Sequence, residues 1–276
     1  MHSLNQLLAG GSLNETLARV ESQIKAAPAD ADLRAAFVQL LCLAGNWTRA
    51  QTQLTSWAAL KPQAQPTVTL LDQAIRGELQ RAAVFAGEGQ PRLPGAAYGW
   101  AESLFAALQA DIQGERTQAQ ALRQAALDAA ALNPGSALEQ GSEQAQLFDW
   151  LIDGDARLGP ICELLVNGSY FWVPFSAIAE MRFQAPASVT DLVWRHTLVR
   201  LVDGSEQVCQ VPVRYPFAAD ADDNLRLARL TDWQPLDDAQ QHYIGHGQKV
   251  WLNDSLEFSL LSLETLSFVA SDLADA

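Results

Sequence analysis

Residues 11–28 read "GSLNETLARVESQIKAAP" and residues 45–62 read "GNWTRAQTQLTSWAALKP". A shift of 34 residues lays Gly11 on Gly45, Leu13 on Trp47, Val20 on Leu54 and Pro28 on Pro62. Thirty-four is the step of tetratricopeptide helical hairpins. Between the two copies lies "ADADLRAAFVQLLCLAG", in which Leu33, Ala36, Phe37, Leu40 and Leu41 recur at helical spacing. Gly45 stands where a left-handed residue would end that helix, and each proline closes the other helix of a pair.

A third, looser copy runs from Tyr98 to Pro134. Trp100, Leu104, Ala107 and Ile112 form one stripe, Gly114 turns the chain, and Ala119, Leu122, Ala126 and Leu127 continue on a second helix. Residues 67–86 read as a further helix, and "AGEGQPRLPG" (86–95) reads as a loop. The first half, residues 1–146, is therefore expected to be a tetratricopeptide-like array of two to three helical hairpins, with a plain helical bundle as the alternative. Such arrays usually bind peptides or helices on a concave face.

From about Leu147 alternation replaces the helical period. "DLVWRHTLVRLVDGSEQVCQVPVRY" holds two runs, Val193–Val202 and Gln207–Val213, joined across Asp203-Gly204. An Asp-Gly step between alternating strands marks a hairpin. "KVWLNDSLEFSLLSLETLSFV" suggests a second hairpin turning at Asn253-Asp254. "GSYFWVPFSAI", from Gly168, reads as a strand ended or placed at an edge by Pro174. Its residues Tyr170 and Trp172 point one way and Phe171 and Val173 the other, so it is apolar on both faces. The preferred reading makes it core and the seam against the helical array. Residues 147–276 are thus a small, mostly antiparallel β-rich domain, entered through "DWLIDGDARLGP" (149–160) as a linker, and the chain as a whole is α+β.

The charge is unevenly placed. Of a net −14, residues 1–140 carry −2 and residues 141–276 carry −12. A surface so acidic argues against nucleic acid and anionic membranes as partners. Cys42, Cys162 and Cys209 are widely spaced, which argues against a disulfide framework and fits small apolar residues in a reducing cytoplasm. The first residues, "MHSLNQLLAGGSLNETL", lack the pattern of a signal peptide.

Several motifs bear on chemistry. His242 and His246 in "HYIGH" are four apart, but Gly245 weakens a helix there and no Glu completes a metal motif; exposed loop histidines are the expectation. "DGDAR" (153–157) and "DADD" (220–223) lack the spacing of a calcium loop and read as solvated acidic turns. There is no phosphate loop and no nucleophile elbow. Asp191 and Arg195, and likewise Arg214 and Tyr215, read as polar pairs fixing strand register, or as a patch for a partner. No cofactor or metal is expected.

Five segments in order, "DGDARLGPICELLVNGSYFWVPFSAI", "APASVTDLVWRHTLVRLVDG", "VPVRYP", "LARLTDWQ" and "GHGQKVWL", resemble the ImpE family, also called TagJ or SciE, the accessory proteins of type VI secretion. The resemblance covers nearly the whole chain and accommodates the helical first half. It implies a cytoplasmic protein without established enzymatic activity. It implies association with the contractile sheath through a helix of the small subunit TssB, and a link to ClpV, the AAA+ ATPase that disassembles contracted sheaths. The functional expectation is an adaptor that holds a partner helix in a groove. Candidate partner-binding residues are Phe37, Trp47, Trp57 and Trp100 in the array, and Tyr170 and Trp172 in the β region. The alternatives are a generic tetratricopeptide scaffold and, less favoured, a hydrolase with its site in the β domain.

Overall fold

The computed structural model describes residues 11–218, 220–237 and 241–269. Residues 1–10, most of the stretch read for a signal peptide, lie outside the described residues.

The helical half begins with α1 (Leu13–Ala26), whose N-terminus is fixed by a capping box. Ser12 Oγ accepts from the Glu15 amide at 3.2 Å, and the Ser12 amide donates to Glu15 Oε2 at 2.9 Å. Asp30 caps α2 (Ala31–Leu43) by accepting from the Asp32 and Leu33 amides. Next come α3 (Trp47–Leu60) and the long α4 (Gln65–Phe85). Helix starts at Leu13 and Trp47, and at Ala31 and Gln65, are each 34 residues apart, the step read from the sequence. Gly45 turns α2 into α3 with φ +69°. A further hairpin, α5 (Trp100–Gln113) and α6 (Arg116–Ala129), turns at the left-handed Gly114 without keeping that step.

The sheet begins at Gly135, ahead of residue 147. Eight strands lie in the order β2 (Gln146–Phe148), β1 (Gly135–Glu139), β13 (Leu263–Phe268), β6 (Ile178–Phe183), β7 (Trp194–Leu201), β8 (Glu206–Pro212), β4 (Ile161–Val166), β5 (Ser169–Pro174). All their pairings are antiparallel. The β7–β8 hairpin turns at Asp203-Gly204 as the sequence suggested, with Gly204 at φ +83°. Two smaller sheets complete the β region: β12 (Glu257–Ser259), β11 (Val250–Leu252) and β3 (Ile152–Asp153) in one, β9 (Thr231–Pro235) and β10 (Tyr243–Gly247) in the other. The turn at Asn253-Asp254 joins β11 to β12, and Asn253 Oδ1 accepts from the Ser255 and Leu256 amides there.

Two apolar cores result. One fills the array and continues onto one face of the sheet through Ile161, Leu165, Tyr170, Trp172 and Trp194. The other lies within the β region around Cys162, Leu164, Phe175, Val199, Trp251 and Leu266. Pro174 is the last residue of β5, an edge strand as its proline required. That edge is not open. The segment read as a loop lays Arg92 beside it, so the Arg92 amide donates to Tyr170 O at 2.9 Å and the Trp172 amide to Arg92 O at 3.0 Å. Edge cover of this kind removes a template for unwanted strand pairing.

Candidate functional site

One stretch of α4, residues 77–81, makes the join between the two halves. Gly77 sits over Leu165; a Cβ there would stand 2.8 Å from the leucine side chain, so only glycine allows this approach without a shift. Glu78 Oε1 accepts from the Trp194 indole at 3.0 Å. Gln80 clamps the β4–β5 turn, donating to Gly168 O at 2.9 Å and accepting from the Tyr170 amide at 3.1 Å. Arg81 reaches Glu163 on β4 with two parallel bonds, Nε to Oε1 at 2.7 Å and Nη2 to Oε2 at 3.0 Å. This fork-to-carboxylate geometry is the strong form of an ion pair.

Glu163 is the centre of a buried network. Its side chain also accepts from Tyr170 Oη at 2.6 Å, and Lys249 Nζ lies 2.8 Å from Oε2. The Trp172 indole donates to Tyr170 Oη at 2.7 Å. Lys249 Nζ in turn donates to Asp153 Oδ2 at 2.6 Å. Burial alone would raise the Glu163 carboxyl, but the Arg81 and Lys249 charges hold it well below the usual range. Asp153 has fewer compensating partners, and burial pushes it up to about 6 against the pull of Lys249. Beside them Asp155 is fully buried, accepting from the Arg157 guanidinium and from the Gly245 amide at 3.1 Å.

These facts correct three expectations. "DGDAR" is no solvated turn and 149–160 is no linker. Ile152 and Asp153 form β3, and the carboxylates are buried because Lys249, Arg157 and main-chain amides satisfy them. The register pairs are also different. Asp191 caps a 3-10 turn through the Ala187 and Ser188 amides. Arg195 donates to Leu260 O at 2.6 Å and Leu263 O at 2.9 Å, and so ties β7 to Leu260 and the first residue of β13 by main-chain carbonyls instead of a carboxylate. Arg214 does the same between the halves: it donates to Leu43 O at 2.7 Å, Cys42 O at 3.1 Å and Arg226 O. A guanidinium there meets the negative end of α2. Tyr215 Oη instead donates to Val250 O at 3.1 Å, and its ring packs on Gly245.

The candidate partner-binding residues are spread over this frame. Tyr170 and Trp172 are buried in the seam, with Phe105 edge-on to Trp172 at 5.9 Å. Trp47 is half-buried and stacks on Trp194 at 5.7 Å, again across the seam. Phe37 is buried beneath the Arg49 guanidinium, and Trp57 is buried in the array. Trp100 is half-buried against the same core. A groove of about 590 Å³ opens beside α1 and the α2–α3 turn, lined by Leu17, Gly45, Asn46, Arg49 and Phe217. Nothing in the sequence marks Arg81, Glu163, Lys249 and Asp153 as a unit.

Chemically, the network holds charges in place and offers no free nucleophile. Burial pushes the Cys42 and Cys209 thiols up to about 12 and Cys162 well above its ordinary value. His242 lies just before β10, bonded to Asp237 at 2.5 Å, and His246 lies on that strand, bonded to Gln234 at 3.2 Å. Both are half-buried rather than fully exposed. Among the described residues no group of three His, Cys, Asp or Glu side chains is placed to hold a metal, and no helix is long and apolar enough to cross a membrane.

Comparison with known proteins finds that residues 145–267 match the family model described as ImpE protein. The type VI secretion system accessory component TagJ of Pseudomonas aeruginosa PAO1 is 37% identical over 268 residues, spanning 97% of this chain and 91% of that protein. The crystal structure of a Vibrio parahaemolyticus protein superposes with a TM-score of 0.84 at 27% identity, covering 97% of both chains.

Proposed function

Since this chain belongs to the ImpE family, we propose that it is a non-enzymatic accessory protein of type VI secretion, cytoplasmic, that docks a helix of the sheath small subunit TssB and so links the sheath to ClpV-driven disassembly. The observation that carries the accessory role is the 37% identity to TagJ across 97% of the chain. The geometry favours an adaptor over a hydrolase. The acidic and basic groups that converge at the seam are consumed by one another, and a hydrolase needs a carboxylate or nucleophile left free in a cleft. The array supplies a groove of about 590 Å³ beside α1 and α3, along which a partner helix would lay an apolar face on Leu17 and Phe217. Of the six candidates, the half-buried Trp47 and Trp100 are the proposed contacts; neither lines the groove, and Trp47 follows its lining residue Asn46 in the chain. Phe37, Trp57, Tyr170 and Trp172 would support them from within.

The test is isothermal titration of the full chain with peptides spanning the N-terminal helices of the cognate TssB. Micromolar or tighter binding of one helix, weakened by Leu17→Asp, supports the reading. A folded protein that gives no heat with any of the peptides removes the TssB mechanism and leaves the family assignment standing.

A further inference from the structure

A second concave surface lies on the far side of Asp153. Five half-buried apolar side chains from five elements converge there: Leu127 from α6, Ile152 from β3, Trp233 from β9, Tyr243 from β10 and Leu252 from β11. They line a cleft of about 520 Å³, within the usual range for a binding pocket. Its floor is kept low by Gly154, where a Cβ would stand 2.4 Å from the Trp233 ring. Half-exposed apolar residues gathered in a hollow mark an interaction site more strongly than the same residues scattered singly. Tryptophan and tyrosine walls are typical of interface pockets.

The polar groups of the lining decide the class of occupant. Asp153 is consumed by Lys249, and His242 by Asp237. A small polar metabolite would therefore find little to orient it. Among the described residues no Lys or Arg lines the cleft. Lys249 and Arg157 stand behind its wall, already paired with carboxylates. Asp237 is itself paired with His242, so the acidic group next to the lining is exposed Asp254, two residues after Leu252. The region as a whole carries −12. We infer that this cleft is a docking site for a protein segment that presents one or two bulky apolar side chains next to Lys or Arg. The apolar side chains fill the hollow, and the basic ones meet its acidic edge. The inference rests on the adaptor reading only in expecting a protein partner; the surface is separate from the groove beside α1.

The probe is a pair of fluorescein-labelled, C-terminally amidated tetrapeptides, Lys-Trp-Leu-Lys and Glu-Trp-Leu-Glu, titrated with the full chain by anisotropy. The basic peptide is expected to bind with a Kd below about 1 mM, at least about tenfold tighter than the acidic one. The variant Leu127→Lys places a cation at the mouth, in the last turn of α6 where a positive charge suits the helix. It should keep the wild-type unfolding midpoint and weaken the basic peptide by about tenfold. Equal affinity for the two peptides, or no binding of either, would overturn the inference. So would sedimentation of the wild type as a dimer that Leu127→Lys dissociates, because a second copy would then cover the cleft. Failure of TssB helices to bind leaves this measurement unaffected, since it uses no sheath sequence.

Discussion

The two faces of β4 solve the same problem with different chemistry. Every residue from Ile161 to Leu165 is buried. Cys162 and Leu164 enter an apolar core with Phe175, Val199 and Trp251. Glu163 on the other face enters a network of two cations, a tyrosine and a tryptophan. The apolar face packs with many alternative partners of similar size, because burial is non-directional. The charged face accepts one arrangement, because each carboxylate oxygen needs its own donors. The difference teaches where docking is specified. Glu163 meets Arg81 across a join of two separately coded halves, and Leu164 meets residues of its own half.

That comparison is broken most easily at Glu163. Glu163→Ala strands Arg81 and Lys249 without their shared partner, and is expected to cost about 3–5 kcal/mol in urea unfolding. Loss of the seam should also split the transition, with the helical signal and the tryptophan signal parting. A cost under 1 kcal/mol with one transition would show that the network does not specify docking. Leu164→Ala, the next residue on the other face, should cost about 3 kcal/mol and leave the transition single. Arg214→Met removes the donors to three carbonyls at and near the end of α2 and should cost roughly 2 kcal/mol, with hydrogen exchange rising at the α2–α3 turn.

The last effect is one of pH. Asp153 is raised to about 6 from 3.8, so the folded state holds that proton more tightly than the unfolded chain. Its contribution to stability therefore falls as pH rises from 4 to 6 and is flat above. Glu163, lowered from 4.5, has the opposite sign, contributing above its unfolded value and losing that contribution as pH falls through its folded one. Between pH 4.5 and 6 the Asp153 slope stands alone of the two, at up to about 1.4 kcal/mol per pH unit. Asp153→Asn should abolish that share of the slope. An unchanged pH profile would assign the slope to other carboxylates.

The parts of this fold visible in the sequence are those encoded locally. The 34-residue step marked the starts of α1 and α3, helical spacing marked α2 and α4, and Asp203-Gly204 marked the β7–β8 hairpin, because turns and helix caps draw on neighbours in the chain. The seam reading of "GSYFWVPFSAI" rested on apolar alternation, and Tyr170 and Trp172 do lie there. The charge network was not legible. Its members, Arg81, Asp153, Glu163 and Lys249, are spread over the whole β region and the array, and each alone looks like an ordinary charge. The one available signal was Glu163 itself, a carboxylate in the middle of the apolar run "ICELLV". "DGDAR" misled because Asp and Gly are turn formers whether a turn is wet or dry. Only the third dimension supplies Lys249 and the Gly245 amide.

The position of Arg81 has a consequence during synthesis. The helical array leaves the ribosome first, with Gly77 awaiting Leu165 and Arg81 awaiting Glu163. Lys249, the second cation on that carboxylate, is translated 168 residues after Arg81, a wait of roughly 10–30 s at ordinary elongation rates. Over the first 82 residues of that interval, until Glu163 arrives, the sheet-facing side of α4 is an apolar surface in which Arg81 has only Glu78 beside it. The nascent chain is thus most in need of a chaperone between the completion of α4 and the arrival of β4.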